Sequence, residues 1–163
     1  MQETVITREG LERLSVELER LKTEGRREMA ERLRHAAARD ANHAESADYL
    51  SVCEDQALLE RRIALLEERL LSARVVDPVL GNGRVDVGER VHVHALDSGE
   101  RLDLELVGPL ESDAASGRIS VASPVGRAIL GLRRGQIAQV DAPRGRLHFE
   151  VLAVEAPRPA SAA

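Results

Sequence analysis

One short polar stretch holds most of the side chains in this chain that could take part in chemistry. Asp40, Asn42, His43, Glu45 and Asp48 fall within nine residues and are followed at once by Tyr49. Carboxylate oxygens suit hard cations, whereas the Asn42 amide offers only a neutral oxygen. His43 can donate to a phosphate. Elsewhere the signals are thinner. His92 and His94 share a strand face by spacing, but no third ligand stands at a metal-site interval, so they read as strand histidines. Cys53 has no base placed beside it and reads as a small packing residue, not a nucleophile.

Long helices must carry the polar stretch, because the flanking residues keep heptad spacing. Before it, Leu11, Leu14, Leu18 and Leu21 step by three and four; after it, Tyr49, Val52, Gln56, Leu59, Ile63, Leu66, Leu70 and Ala73 do the same. The pattern predicts an antiparallel helical hairpin with its tip at residues 40–49. At 1.5 Å per residue, arms of roughly 25 to 30 residues reach about 40–45 Å. Thr7 is the expected N-cap of the first arm, with Ile6 and Leu11 at staple spacing, while Gly10 at the third helical position removes the acid of a capping box. Beyond Leu21 the apolar steps lengthen to Gly25, Met29 and Leu33, a stutter that relaxes the supercoil. Arg32, Arg34 and Arg39 read as part of a solvated helical face, the alternative being contact with phosphates near the tip.

From Val85 the period changes to two. Residues 90–95, 102–107, 118–121, 136–140 and 147–152 are five expected strands, the first pair joined by a hairpin loop at residues 96–100. Ser123 at N-cap, Pro124 at N1 and Gly131 just past the end define one short helix between the third and fourth strands. The fold class expected is α+β: a coiled-coil hairpin over residues 1–76, a small antiparallel sheet domain over 77–155 and a tail over 156–163. Aromatics are 1% of 163 residues and the net charge is −5, which disfavour base stacking and autonomous binding to duplex DNA. A protein partner fits better. One cysteine, no charged leader and no apolar run of membrane length make a cytoplasmic monomer the expectation.

Ile6 to Leu14 opening the coiled coil, the tip ending in Ala47, Asp48 and Tyr49, and the run Ser120 to Gly131 together resemble the GreA/GreB transcript cleavage factors over nearly the whole chain. The resemblance implies a bacterial protein whose sheet domain, FKBP-like in fold, docks at the rim of the RNA polymerase secondary channel. Ser123, Pro124, Val125, Gly126 and Arg127 are the implied docking residues. The coiled coil then enters the channel, close to the nascent RNA. In active members two tip carboxylates help hold the polymerase's second catalytic Mg2+, so that water cuts a backtracked transcript. Their tip reads aspartate-leucine-serine-glutamate-asparagine-alanine-glutamate-tyrosine, which falls here on Asn42 to Tyr49. Glu45 is kept and remains the candidate Mg2+ contact. The first acid is replaced by Asn42. Asp40 lies about 200° away on a helical turn, and Asp48 suits the dipole at the start of the second arm. The expectation is therefore a factor that is not itself an enzyme, since any cleavage would use the polymerase active centre, and that binds RNA polymerase and regulates transcription without efficient cleavage, with inhibition as one form of that regulation. Alternatives are an active cleavage factor, with Asp40 or Asp48 standing in, and a prolyl isomerase or chaperone. The last is disfavoured because residues 77–163 hold only one aromatic, Phe149.

Overall fold

The computed structural model describes residues 4–39, 46–79, 81–142 and 145–157. It divides into two compact units, one made of Met1–Leu11 with Ala73–Ala163 and the other of Glu12–Ser72.

Two long antiparallel arms make up the helical unit. The first comprises α1 (Arg8–Arg20), whose opening turn belongs to the other unit, a π-helical turn at Leu21–Gly25 and α2 (Arg26–Arg39); the second is α3 (Ala47–Leu71). The π turn coincides with the stutter after Leu21: the widened coil absorbs the slip in apolar spacing. Val52, Ile63 and Ala36 are buried between the arms, and a Cβ on Gly25 would lie 3.4 Å from Leu59. Gln56, placed on the seam by its spacing, is instead exposed. The neighbouring Asp55 is half-buried there and pairs with Arg32 across the arms at 2.6 Å.

Sheet and turns form the second unit. Strand β1 (Thr4–Thr7) pairs in parallel with β2 (Ala73–Val76), so the chain enters and leaves the arms side by side. A five-stranded sheet follows, with β3 (Arg90–Ala95), β4 (Glu100–Val107), β5 (Arg118–Ser120), β6 (Ile137–Ala142) and β7 (Gly145–Glu155) in the order β5-β4-β3-β7-β6. The neighbours are antiparallel except β4 and β5, which run parallel because residues 108–117 turn through two short 3-10 segments and bring the chain back in the same direction. Alternation along β3 buries Val91, Val93 and Ala95 against Leu106, Phe149, Val151 and Ile129. Helix α4 (Pro124–Ile129) caps this apolar face.

The capping of α1 is completed from a distance. Gly10 N–H donates to Thr7 Oγ1 at 3.0 Å, as an N-cap requires. In a capping box the acid that accepts the Thr7 N–H would stand at position 10, where this chain has glycine. Glu111 supplies it instead: Oε2 accepts from Thr7 N–H at 2.8 Å and from Gly108 N–H at 3.2 Å, while Oε1 accepts from the Thr7 hydroxyl. Its carboxylate occupies the space that a side chain at position 10 would need, since a Cβ on Gly10 would stand 1.9 Å from Oε1.

On the opposite face of the sheet His92 bridges three strands. Its Nδ1 bonds Asp103 of β4, and its Nε2 lies 3.2 Å from Glu155 of β7. Both carboxylates raise the His92 pKa above its ordinary 6.5, Asp103 the more strongly. A raised histidine contributes stability that is fully present below its unfolded value and is lost as pH rises through the folded one. Melting temperature is therefore expected to fall as pH rises above about 6.5 and through the folded value. His92→Gln should flatten that slope, measured by thermal melts in matched ionic strength; an unchanged slope would assign it to other groups.

Candidate functional site

Among the described residues five ion pairs join the two arms; the four from Lys22–Glu67 to Arg39–Asp48 run in reverse sequence order, and Glu17–Arg62 crosses that order. Glu17 meets Arg62 at 2.5 Å, Lys22 meets Glu67 at 2.5 Å and Arg26 grips Glu60 through two 2.8 Å bonds. Arg32 to Asp55 follows, and then Arg39 to Asp48 at 3.5 Å. The paired guanidinium lowers the Glu60 pKa, and the same bond raises that of Arg26. Exposed pairs of this kind add little stability individually, but a bidentate arginine fork fixes geometry. The ladder sets the axial register of the arms and so where they end.

Arg39 and Asp48 close that ladder at the tip. Of the tip residues singled out by sequence, Asp40, Asn42, His43 and Glu45 lie outside the described residues. Ser46 is the N-cap of α3, without a side-chain cap bond, and Asp48 lies in the first turn. Facing Arg39, its carboxylate serves the base of the tip as well as the helix dipole. Tyr49 and Cys53 stand one turn apart, and the neighbouring thiol raises the tyrosine pKa. Of the arginines near the tip, Arg32 and Arg39 are engaged in these pairs, and Arg34 Nε donates to the Ala30 carbonyl at 3.3 Å. No three His, Cys, Asp or Glu side chains among the described residues are grouped to hold a metal ion. His92 and His94 lie on the sheet's polar face, alternating with the buried Val91, Val93 and Ala95.

Around α4 the sequence motif separates into buried and exposed parts. Ser123 Oγ accepts from Gly126 N–H at 3.0 Å, closing the N-cap. Gly126 is buried, and a Cβ there would stand 2.0 Å from the Ser120 carbonyl oxygen, so its lack of a side chain permits the close approach of α4 to the β5 end. Val125 is half-buried against the core. Pro124 and Arg127 face outward, beside Gln139 and Asp141 of β6, along an open groove of about 400 Å3. Sequence spacing alone had not brought β6 to this groove, because its residues lie a dozen or more positions further along the chain.

An antiparallel helical hairpin joined in sequence to a mostly antiparallel sheet with one packed helix defines the class of protein. The profile described as "Transcription elongation factor, N-terminal" matches residues 4–75, and that described as "Transcription elongation factor, GreA/GreB, C-term" matches residues 80–156. The chain is 40% identical over 148 residues to Transcription elongation factor GreA of Amoebophilus asiaticus, covering 90% of this chain and 93% of that one. It is 39% identical over 152 residues to the Ralstonia nicotianae protein of the same name, covering 92% and 96%. Among solved structures, the GreA factor homolog 1 (Gfh1) protein of Thermus thermophilus is 32% identical and covers 95% of this chain and 100% of that one, with a TM-score of 0.42. The chain belongs to the GreA/GreB family and is a Gre-family transcription elongation factor.

One expectation is corrected by these relatives. Proteins about 40% identical over most of the chain are named GreA, the name attached to transcript cleavage, and the reading of this chain as no enzyme does not stand beside them. That reading had rested on the expectation that any cleavage would use the polymerase active centre. Among the described residues no helix is long and apolar enough to cross a membrane.

Proposed function

We propose that this factor binds RNA polymerase through the exposed side of α4, passes its hairpin into the secondary channel and acts on transcription from the tip, with weakened stimulation of transcript cleavage. The four ion pairs that run in reverse order across the arms carry the reading, since a thin two-helix arm presents its tip at a fixed reach when its arms keep one register. In this reading the Mg2+ belongs to the polymerase. Glu45 would approach it with one carboxylate, and Asn42 would offer a neutral oxygen where active members bring a second charge. Asp48, facing Arg39, is poorly suited to stand in.

Docking is tested on α4. Pro124→Ala with Arg127→Glu leaves the buried Gly126 and the Ser123 cap untouched and is expected to weaken polymerase binding about tenfold or more, as removal of a central arginine contact does. Binding of labelled polymerase core to the full chain reads this directly. Wild-type affinity in the double variant would move the docking surface elsewhere.

A further inference from the structure

The outward face of α3 carries a pattern that the ladder does not use. Asp48, Asp55, Glu60, Arg62 and Glu67 all turn toward arm one and are paired there. Glu54 and Arg61 are exposed, form no ion pair among the described residues and stand seven positions apart, too far for an intrahelical pair. Around them the same face exposes Leu50 at 49%, Leu58 at 65% and Leu65 at 44%, with Ala57 between. At 100° per residue these six lie within about 100° of arc, opposite the buried Val52 and Ile63. A fully solvated face has no need of three leucines at this spacing.

The order of the charges says what covers the face. Turned end for end about a two-fold axis between Ala57 and Leu58, the stripe complements itself: Glu54 meets Arg61 of the second copy and Arg61 meets its Glu54. The same operation sets Leu50 against Leu65 at both ends and packs Ala57 against Leu58 in the middle. A two-fold interface requires such reciprocity, residue i on j and j on i. In a parallel pairing Glu54 would face Glu54 and Arg61 would face Arg61, which is repulsive. We propose that two copies of this chain associate through antiparallel packing of their α3 outer faces, held by the two reciprocal Glu54 to Arg61 pairs and the Leu50 to Leu65 contacts.

The contact is small. Residues 50–65 span roughly 22 Å of helix, which with a helix width of about 10 Å makes a footprint of about 220 Å2, well short of the roughly 800 Å2 per partner of a stable interface, so the dimer forms only at high concentration and weakens with salt. A hairpin paired this way is too wide for a channel that admits two helices. That consequence rests on the proposed function; the association does not.

Sedimentation equilibrium of the full chain from about 5 to 500 μM tests the proposal, with circular dichroism confirming that each variant is folded. The weight-average mass of the wild type should climb from 17.8 kDa toward twice that value. Glu54→Arg puts two arginines face to face at both pairs and should hold the mass at the monomer value. Glu54→Arg with Arg61→Glu exchanges the charges and should restore the rise. A wild type that remains monomeric throughout overturns the proposal, as does a Glu54→Arg variant that still associates. Failure of the charge exchange to restore association overturns the antiparallel register. If the wild type stays monomeric while Glu54→Arg weakens polymerase binding, the face belongs to the polymerase instead.

Discussion

Replacing Gly10 by alanine is expected to destabilise the protein, although alanine in place of an internal helical glycine normally stabilises by about 1 kcal/mol. The new Cβ would stand 1.9 Å from Glu111 Oε1 and 2.1 Å from its carboxyl carbon. Glu111 cannot withdraw cheaply, because it is buried and accepts from Thr7 N–H, the Thr7 hydroxyl and Gly108 N–H. Breaking that cluster leaves buried N–H donors unpaired at about 1–3 kcal/mol each, so a net loss of about 2 kcal/mol is expected for Gly10→Ala. Glu111→Ala, which removes every acceptor at once, should lose about 3–5 kcal/mol by the same reasoning. At roughly 4–8 °C per kcal/mol for a unit of this size, both are large shifts in melting temperature. The double variant should be less destabilised than the two losses added, since alanine at position 10 has nothing left to strike. A Gly10→Ala protein that melts at or above the wild type would show that the carboxylate is free to move.

The second large effect is expected at the tip. Asn42→Asp should raise cleavage of backtracked transcripts by about 10- to 100-fold, the range that even outer contacts of a metal site command. The added carboxylate brings a charged oxygen to a hard divalent ion in a confined place, where charges are screened less than in bulk water. The gain should be greatest at limiting Mg2+, and polymerase affinity should not change, because docking is assigned to α4. His43, Ala44 and Ser46 also depart from the active tip, so a partial gain would assign the remainder to tip geometry. Two results would end this reading: a wild type that already cleaves as fast as an active factor, or an Asn42→Asp protein that binds normally and gains nothing. Glu45→Ala should remove whatever cleavage the wild type has.

What could be read from the residues alone was local or periodic. The two arms follow from heptad spacing, and the π turn sits where the spacing stretches at Leu21 to Gly25. The five strands follow from alternation, and the α4 cap from Ser123 and Pro124. Thr7 was legible as an N-cap because its bond to Gly10 N–H spans three residues. Backbone preference and side-chain burial act over a few residues at a time, and so leave a mark in the order of the sequence.

The remaining features needed the chain to come back on itself. Glu111 reaches Thr7 across 104 residues, so the missing half of the capping box looked like a defect at Gly10. The parallel pairing of β1 with β2 joins strands 69 positions apart in register, and the parallel β5 depends on how residues 108–117 turn. Neither leaves a periodic signal. Gln56 fitted the heptad and is exposed, while the neighbouring Asp55 is half-buried and pairs with Arg32 across the arms. Gly126 stood in a motif that could be read as a docking surface, yet its local constraint is the Ser120 carbonyl pressed against its Cα. The sequence by itself determined the two arms, the five strands of the sheet, α4 and the family, because those rest on short-range pattern, whereas β1 and β2, with Ala73 in a strand and not on the helical seam, did not show in it. Tertiary structure alone decided which buried polar group satisfies which, because the free energy of a buried hydrogen bond depends on the partners brought together in space and not on their separation along the chain.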